Sequence, residues 1–277
     1  MKQNRVSRII DGLWGDYQRF GGRWVANLVW SRLLVRLLRD PTLAAPPSYQ
    51  LHSRAREVYG GAFLRAFEYL KVNEIQGDVM EFGTFRGYTS RVIVTTMRRL
   101  RYPGKFTTFD SFQGLPELAT EIDSNSYEVA INRTWVPGTM VAGAVDRDIE
   151  RVLRRVWPET QVVKGFFENS LPLNLPQNKL ALVHLDCDFY ESAKFVLRML
   201  LAKDRIEDGA ILMFDDWNSN RARPDMGERR AVAEILMEHQ VWITPFFSYG
   251  HGGQALFLNH KRIEIAPTSS STSEASR

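Results

Sequence analysis

The chain has 277 residues, 44% of them hydrophobic, 25% charged and 12% aromatic, a composition that excludes disordered, fibrous and repeat proteins. Roughly 75% of the unfolded surface can be buried at this length, so folding needs neither disulfide nor structural metal. The single cysteine, Cys187, excludes an intramolecular disulfide and any multi-cysteine zinc or iron–sulfur site, and suits a reducing cytoplasm.

The formal charge of +4 is uneven: residues 1–72 hold 12 Lys/Arg against 5 Asp/Glu, leaving 24 against 27 for the remainder. Within that basic segment, residues 17–39 carry apolar positions at helical spacing with arginines between them, ahead of breaks at Asp40-Pro41 and Pro46-Pro47. The apolar run Trp24–Leu38 is interrupted by Arg32 and Arg36 and is shorter than the ~18–20 residues a membrane span requires. Asp11 and Asp16 ahead of it argue against a secretory signal. The expected element is a basic amphipathic helix. It either packs on the main domain or a second subunit, or touches an anionic membrane surface through Trp24, Trp30 and the arginines. A second helix over about Ala55–Val72 completes an N-terminal helical extension, 1–72.

From residue 73 to 262 short apolar runs alternate with helical patterns. Strands are expected at Asp78–Phe82, Phe106–Asp110, Gln161–Val163, Leu180–Leu185, Ala210–Phe214, Val241–Phe246 and Ala255–Leu258. Helices are expected at Thr89–Arg101, Arg147–Val156, Ser192–Leu201 and Glu228–His239. Such alternation predicts an α/β fold with a mostly parallel sheet of seven strands and ligands beyond the carboxyl ends of the strands. The link Tyr249–Gly253 is too short for a crossover helix, so the last strand should be antiparallel. Residues 114–146 lack periodicity and read as a lid-like insertion, and 263–277, rich in Ser and Thr, as a disordered tail.

Two strand ends carry the signal for a nucleoside. Glu81-Phe82-Gly83-Thr84-Phe85-Arg86-Gly87 leaves a strand and opens a helix, where glycines let backbone N–H groups approach a ligand and the helix N-terminus favours an anion. Asp110, followed by Ser111, ends the next strand, where an acid accepts hydrogen bonds from ribose hydroxyls. The candidate cofactor-binding residues are therefore Glu81, Gly83, Thr84, Arg86, Gly87, Asp110 and Ser111. The turn lacks the G-x-G-x-x-G spacing that seats a pyrophosphate, so S-adenosylmethionine fits it better than a dinucleotide.

Two further strand ends carry acids: Asp186 and Asp188 after Leu185, and Asp215-Asp216 after Phe214. On neighbouring parallel strands these carboxylates converge. Like charges ~4 Å apart repel by about 4 kcal/mol at an effective dielectric of 20, so the cluster calls for raised pKa values or a cation. Oxygen donors without clustered cysteine or histidine favour Mg²⁺, with Mn²⁺ or Ca²⁺ as substitutes. Asp188 and Glu191 serve equally well as caps of the helix that begins near Ser192.

These motifs resemble the macrocin O-methyltransferase (TylF-type) family of metal- and S-adenosylmethionine-dependent enzymes. The similarity rests on Gly77–Gly87, Asp110–Pro116, Gly165–Pro172, Leu185–Ser192, Asp215-Asp216 and Gly227–Val232, and so covers roughly residues 75–240. It implies a Rossmann-like class I methyltransferase in which Asp186, Asp215 and Asp216 hold Mg²⁺ and Glu81, Gly83 and Asp110 occupy cofactor-binding positions. The expected reaction is methyl transfer to a hydroxyl of a sugar or other glycosidic diol, with Asp186 as the proton acceptor. A catechol-like aromatic diol stacked on Trp217 or Trp135 is the second acceptor, and a non-catalytic scaffold the competing class. His184 reads as a strand residue facing a helix, and His251 lies on a hairpin near the site. Arg98-Arg99 and Arg151–Arg155 read as solvated helix faces, so no nucleic-acid partner is expected, whereas a homo-oligomer is.

Overall fold

A computed structural model describes residues 49–261, with side chains from residue 58 onward; the helix expected over 17–39 and the Ser/Thr-rich tail lie outside the described residues. The chain divides into Met1–Arg54 and Ala55–Arg277. The helix expected over 55–72 falls within the second of these units.

Seven strands, β1 (Asp78–Phe82), β2 (Phe106–Asp110), β3 (Thr160–Lys164), β4 (Leu180–Leu185), β5 (Ile206–Phe214), β6 (Val241–Tyr249) and β7 (Gly253–His260), form one sheet in the order β3-β2-β1-β4-β5-β7-β6. Six run the same way, and β7 is antiparallel to both β5 and β6, as the short link before it requires. Among the described residues, the helices longer than one turn are α1 (Tyr49–Val72), α2 (Tyr88–Leu100), α3 (Asp146–Val156), α4 (Tyr190–Ala202) and α5 (Gly227–Glu238). This is the mostly parallel α/β sheet expected from the alternation of elements, in the Rossmann-like form that the resemblance implies.

The helices cover both faces of the sheet, so its central strands have no polar face. Along β5, Ala210, Leu212 and Phe214 enter one core with α4 and α5, while Ile211 and Met213 enter the other with α1, α2 and α3. Helix α1 contributes Phe63, Phe67 and Leu70, all fully buried; each stabilises the domain by about 1.5–3 kcal/mol. The insertion 114–146 is mostly irregular, with single helical turns at Glu121–Ser124 and Tyr127–Ala130.

The backbone ladder continues just past the strands. The N–H of Gly83 donates to the Phe109 carbonyl at 2.9 Å, that of Asp186 to Phe82 at 2.8 Å and that of Asp215 to Leu185 at 2.9 Å. Asp110, Gly83, Asp186 and Asp215 are thereby set along one edge of the sheet, at the ends of β2, β1, β4 and β5.

Candidate active site

A cavity of about 360 Å³ opens along this edge and is lined by residues from four strand ends, from Phe166 to Glu168, and from the insertion. Asp110 faces it. One Asp110 carboxylate oxygen accepts the Phe85 N–H at 2.7 Å and the other the Phe112 N–H at 2.6 Å, so the side chain is aimed by backbone on either side of it. Burial raises its pKa, and the backbone donors counteract this. Ser111 also lines the cavity, with its hydroxyl donating to the Gly114 carbonyl at 2.9 Å and closing the turn after β2.

Gly83 must be glycine: at φ +103° a Cβ there would lie 2.1 Å from the Asp186 carbonyl oxygen. Gly87, at φ +73°, caps α2 and lies against Ile149. Thr84 and Arg86 line a second cavity of about 180 Å³, together with Tyr59, Tyr88, Thr89 and Asp186. Glu81 lies elsewhere. Its fully buried carboxylate accepts from Ser90, from the Thr108 hydroxyl at 2.7 Å and from His184 Nδ1 at 3.3 Å, which places it beneath the turn and outside both cavity linings. His184 faces α1, edge-on to Phe63 at 5.3 Å.

The acids converge as the strand order demands. Asp186, Asp188, Asp215 and Asp216 all line the larger cavity. Burial, then the charges of Asp215 and Asp216, push Asp186 well above the usual carboxylate range. Asp188 is raised in the same way by burial and by Asp216, and burial with Asp215 pushes Asp216 up to about 7. Asp215 accepts the Tyr59 hydroxyl on both oxygens, at 2.7 and 2.8 Å, and Asp216 accepts Ser219 Oγ at 3.0 Å. Among the described residues no three His, Cys, Asp or Glu are already arranged as a metal-holding group. In donor chemistry the set fits a hard divalent ion, being oxygen-only, buried and mutually repelling.

Two features, the Asp123 cap and the buried Glu228, carry no signal in the sequence, whereas Trp217 takes the core position that its sequence equally allows. Asp188 and Glu191 do not cap α4; Asp123 of the insertion does, accepting the N–H groups of Tyr190 at 2.8 Å and Glu191 at 3.2 Å. Asp188 instead takes a left-handed conformation at φ 58° in the turn before the helix. Glu228, at the start of α5, is fully buried and accepts the Asp216 N–H at 3.1 Å. Trp217 packs on Phe214 at 5.2 Å beneath the Arg229 guanidinium and is absent from the cavity lining, which leaves Trp135 as the tryptophan that faces it.

A model of the macrocin O-methyltransferase (TylF) family matches residues 61–242, about two thirds of the chain, with Tyr59 just outside the match. An 8-demethyl-8-(2,3-dimethoxy-alpha-L-rhamnosyl)-tetracenomycin-C 4'-O-methyltransferase of Streptomyces olivaceus is 25% identical over 157 residues, which are 56% of this chain and 59% of that protein. The chain thus spans well under two thirds of that curated relative. Among solved structures, the O-methyltransferase NovP superposes with a TM-score of 0.57 at 20% identity, over 73% of this chain and 79% of its own. The calicheamicin methyltransferase CalS11 does so with a TM-score of 0.53 at 22% identity, over 82% and 90%. At these identities the two structures establish the fold.

Proposed function

The chain belongs to the macrocin O-methyltransferase (TylF) family, and from that premise we propose that it transfers the methyl group of S-adenosylmethionine to a hydroxyl oxygen of a sugar moiety or another natural-product or glycan diol. The observation that carries the reading is that Asp110 and the acids Asp186, Asp215 and Asp216 border one cavity. An acid suited to a ribose and an oxygen cluster suited to a diol then serve two molecules bound side by side.

In this reading Asp110 accepts the ribose hydroxyls, and Phe166 and Phe167 give the adenine an apolar wall. Gly83 allows close backbone approach, while Thr84, Arg86 and the N-terminus of α2 after Gly87 suit the methionyl carboxylate in the second cavity. Glu81 braces the turn from below. The larger cavity is lined by six carboxylates and neither lysine nor arginine, which favours the cationic sulfonium and disfavours an anionic acceptor. Asp186, Asp215 and Asp216 would hold Mg²⁺, which when bound supplies Lewis-acid activation of the hydroxyl. In this reading Asp186, which borders both cavities, takes the hydroxyl proton. Trp135 and Met140 of the insertion close the remaining wall. A catechol-like acceptor is the second reading, favoured by Trp135, which sits edge-on to Phe189 at 6.3 Å within that wall.

No helix among the described residues is long and apolar enough to cross a membrane. In this reading the enzyme works in the cytoplasm as a homo-oligomer. Calorimetric titration with S-adenosylmethionine and S-adenosylhomocysteine, with Mg²⁺ or EDTA, tests the core of the reading. Asp110→Ala is expected to lose nucleoside binding. Asp215→Ala is expected to keep it and lose magnesium-dependent turnover, and its failure to fold would mark Asp215 as structural. Absence of nucleoside binding in the wild type overturns the reading in favour of a scaffold.

A further inference from the structure

The hydroxyl of Tyr59 lies 2.7 Å from one Asp215 oxygen and 2.8 Å from the other, a contact across 156 residues of sequence. A carboxylate at the end of a strand rotates through a broad, shallow range about its last bond, because sp³–sp² torsions have no sharp wells. One donor shared between both oxygens removes that freedom by fixing the plane of the group. The ring that delivers the hydroxyl is itself fixed, edge-on to Tyr249 with centroids 6.0 Å apart and to Tyr88 at 6.4 Å. Its backbone belongs to α1, anchored over the next turns by the buried Phe63, Phe67 and Leu70.

We propose that Tyr59 is a positioning residue of the carboxylate cluster: its hydroxyl holds Asp215 in the orientation from which, with Asp186 and Asp216, it engages a divalent cation. The inference rests on the cation reading given above. Mg²⁺ accepts only near-ideal octahedral oxygen geometry, so a carboxylate oriented in advance binds it with less ordering. Partners that orient metal-binding side chains typically account for 10–100-fold of affinity. Tyr59 also borders the second cavity, beside Asp186 and Gly83.

Mn²⁺ serves as the probe, titrated into the full chain saturated with S-adenosylhomocysteine and followed by the loss of its free electron-spin signal. Tyr59→Phe is expected to weaken Mn²⁺ binding at least tenfold, with S-adenosylhomocysteine affinity and melting temperature unchanged. Tyr249→Phe is the control: its buried hydroxyl has no hydrogen-bond partner among the described residues, so its removal is expected to leave Mn²⁺ affinity unchanged. Wild-type Mn²⁺ affinity in Tyr59→Phe overturns the inference and leaves the cation site standing. Parallel loss of Mn²⁺ binding, nucleoside binding and thermal stability, or failure of Tyr59→Phe to fold, makes the hydroxyl a structural element and also overturns it. A wild type that binds no Mn²⁺ overturns the cation reading itself, and the inference with it.

Discussion

Asp123 does the work of a helix cap from 67 residues away. Its carboxylate accepts the first two free N–H groups of α4, and the hydroxyl of Thr120 holds it in place at 3.2 Å. An acid at this position satisfies backbone donors that the helix cannot satisfy itself and complements the helix dipole. Asp123→Ala is expected to lower stability by about 1–2 kcal/mol in urea denaturation, with Asp123→Asn losing less. The strand-end acids were legible because each follows a mostly apolar strand, and burying a carboxylate without a partner is costly. Asp123 and Tyr59 were not legible, because each gains its meaning from a partner that only the folded chain brings near. The family resemblance implies a cofactor-binding position for Glu81. Its three hydrogen bonds show the other use of a strand acid, which is to tie β1 to β2, β4 and α2 from inside.

At the scale of elements, the insertion is stitched to both acid-bearing strand ends. Asp123 holds the start of α4, just after Asp186–Asp188, and the Glu128 N–H donates to buried Asn220 at 3.1 Å, just after Asp215-Asp216. Arg221 lies over the Tyr127 ring at 4.0 Å. The second stitch is made by three successive left-handed residues, Asn220, Arg221 and Ala222, at φ 55°, 57° and 55°. Left-handed backbone costs a residue with a Cβ about 1–2 kcal/mol, part of which glycine returns as lost chain entropy. Ala222→Gly, which leaves the Asn220 and Arg221 contacts alone, is therefore expected to raise the urea midpoint, by about 0.5–1 kcal/mol of stability. Between α4 and α5, Glu234 of α5 accepts from Lys194 and Tyr190 of α4 and from Arg230. Burial alone would raise its pKa, but these donors bring it from 4.5 to about 2. Its folded pKa lies below its unfolded one, so its contribution is complete above about pH 4.5 and disappears as pH falls towards 2. Glu234→Gln is expected to cost about 1 kcal/mol at pH 7, with the difference from wild type in thermal melts shrinking as the pH approaches 2.

At the scale of the whole molecule, the sheet was legible from alternation and link length alone: the seven strands fall where the apolar runs are, and the reversal of β7 follows from a connection too short to cross over. The role of α1 was harder to read. Apolar spacing marks a helix but not the core it fills, and residues 55–72 belong to the unit that carries the site. The reversed strand has a further effect on the order of events during synthesis. β7 is the last strand made, yet it lies between β5 and β6, and the turn before it receives the Asn218 N–H on the Gly252 carbonyl at 2.9 Å, two residues past Asp216. A nascent chain that stops short of Gly253 has every acid of the site but leaves the edge of β5 unpaired, with its backbone groups open to other chains. The centre is thus completed from the C-terminal end: a chain released early is exposed to aggregation before its acids are set, and only the inserted last strand closes the sheet behind them.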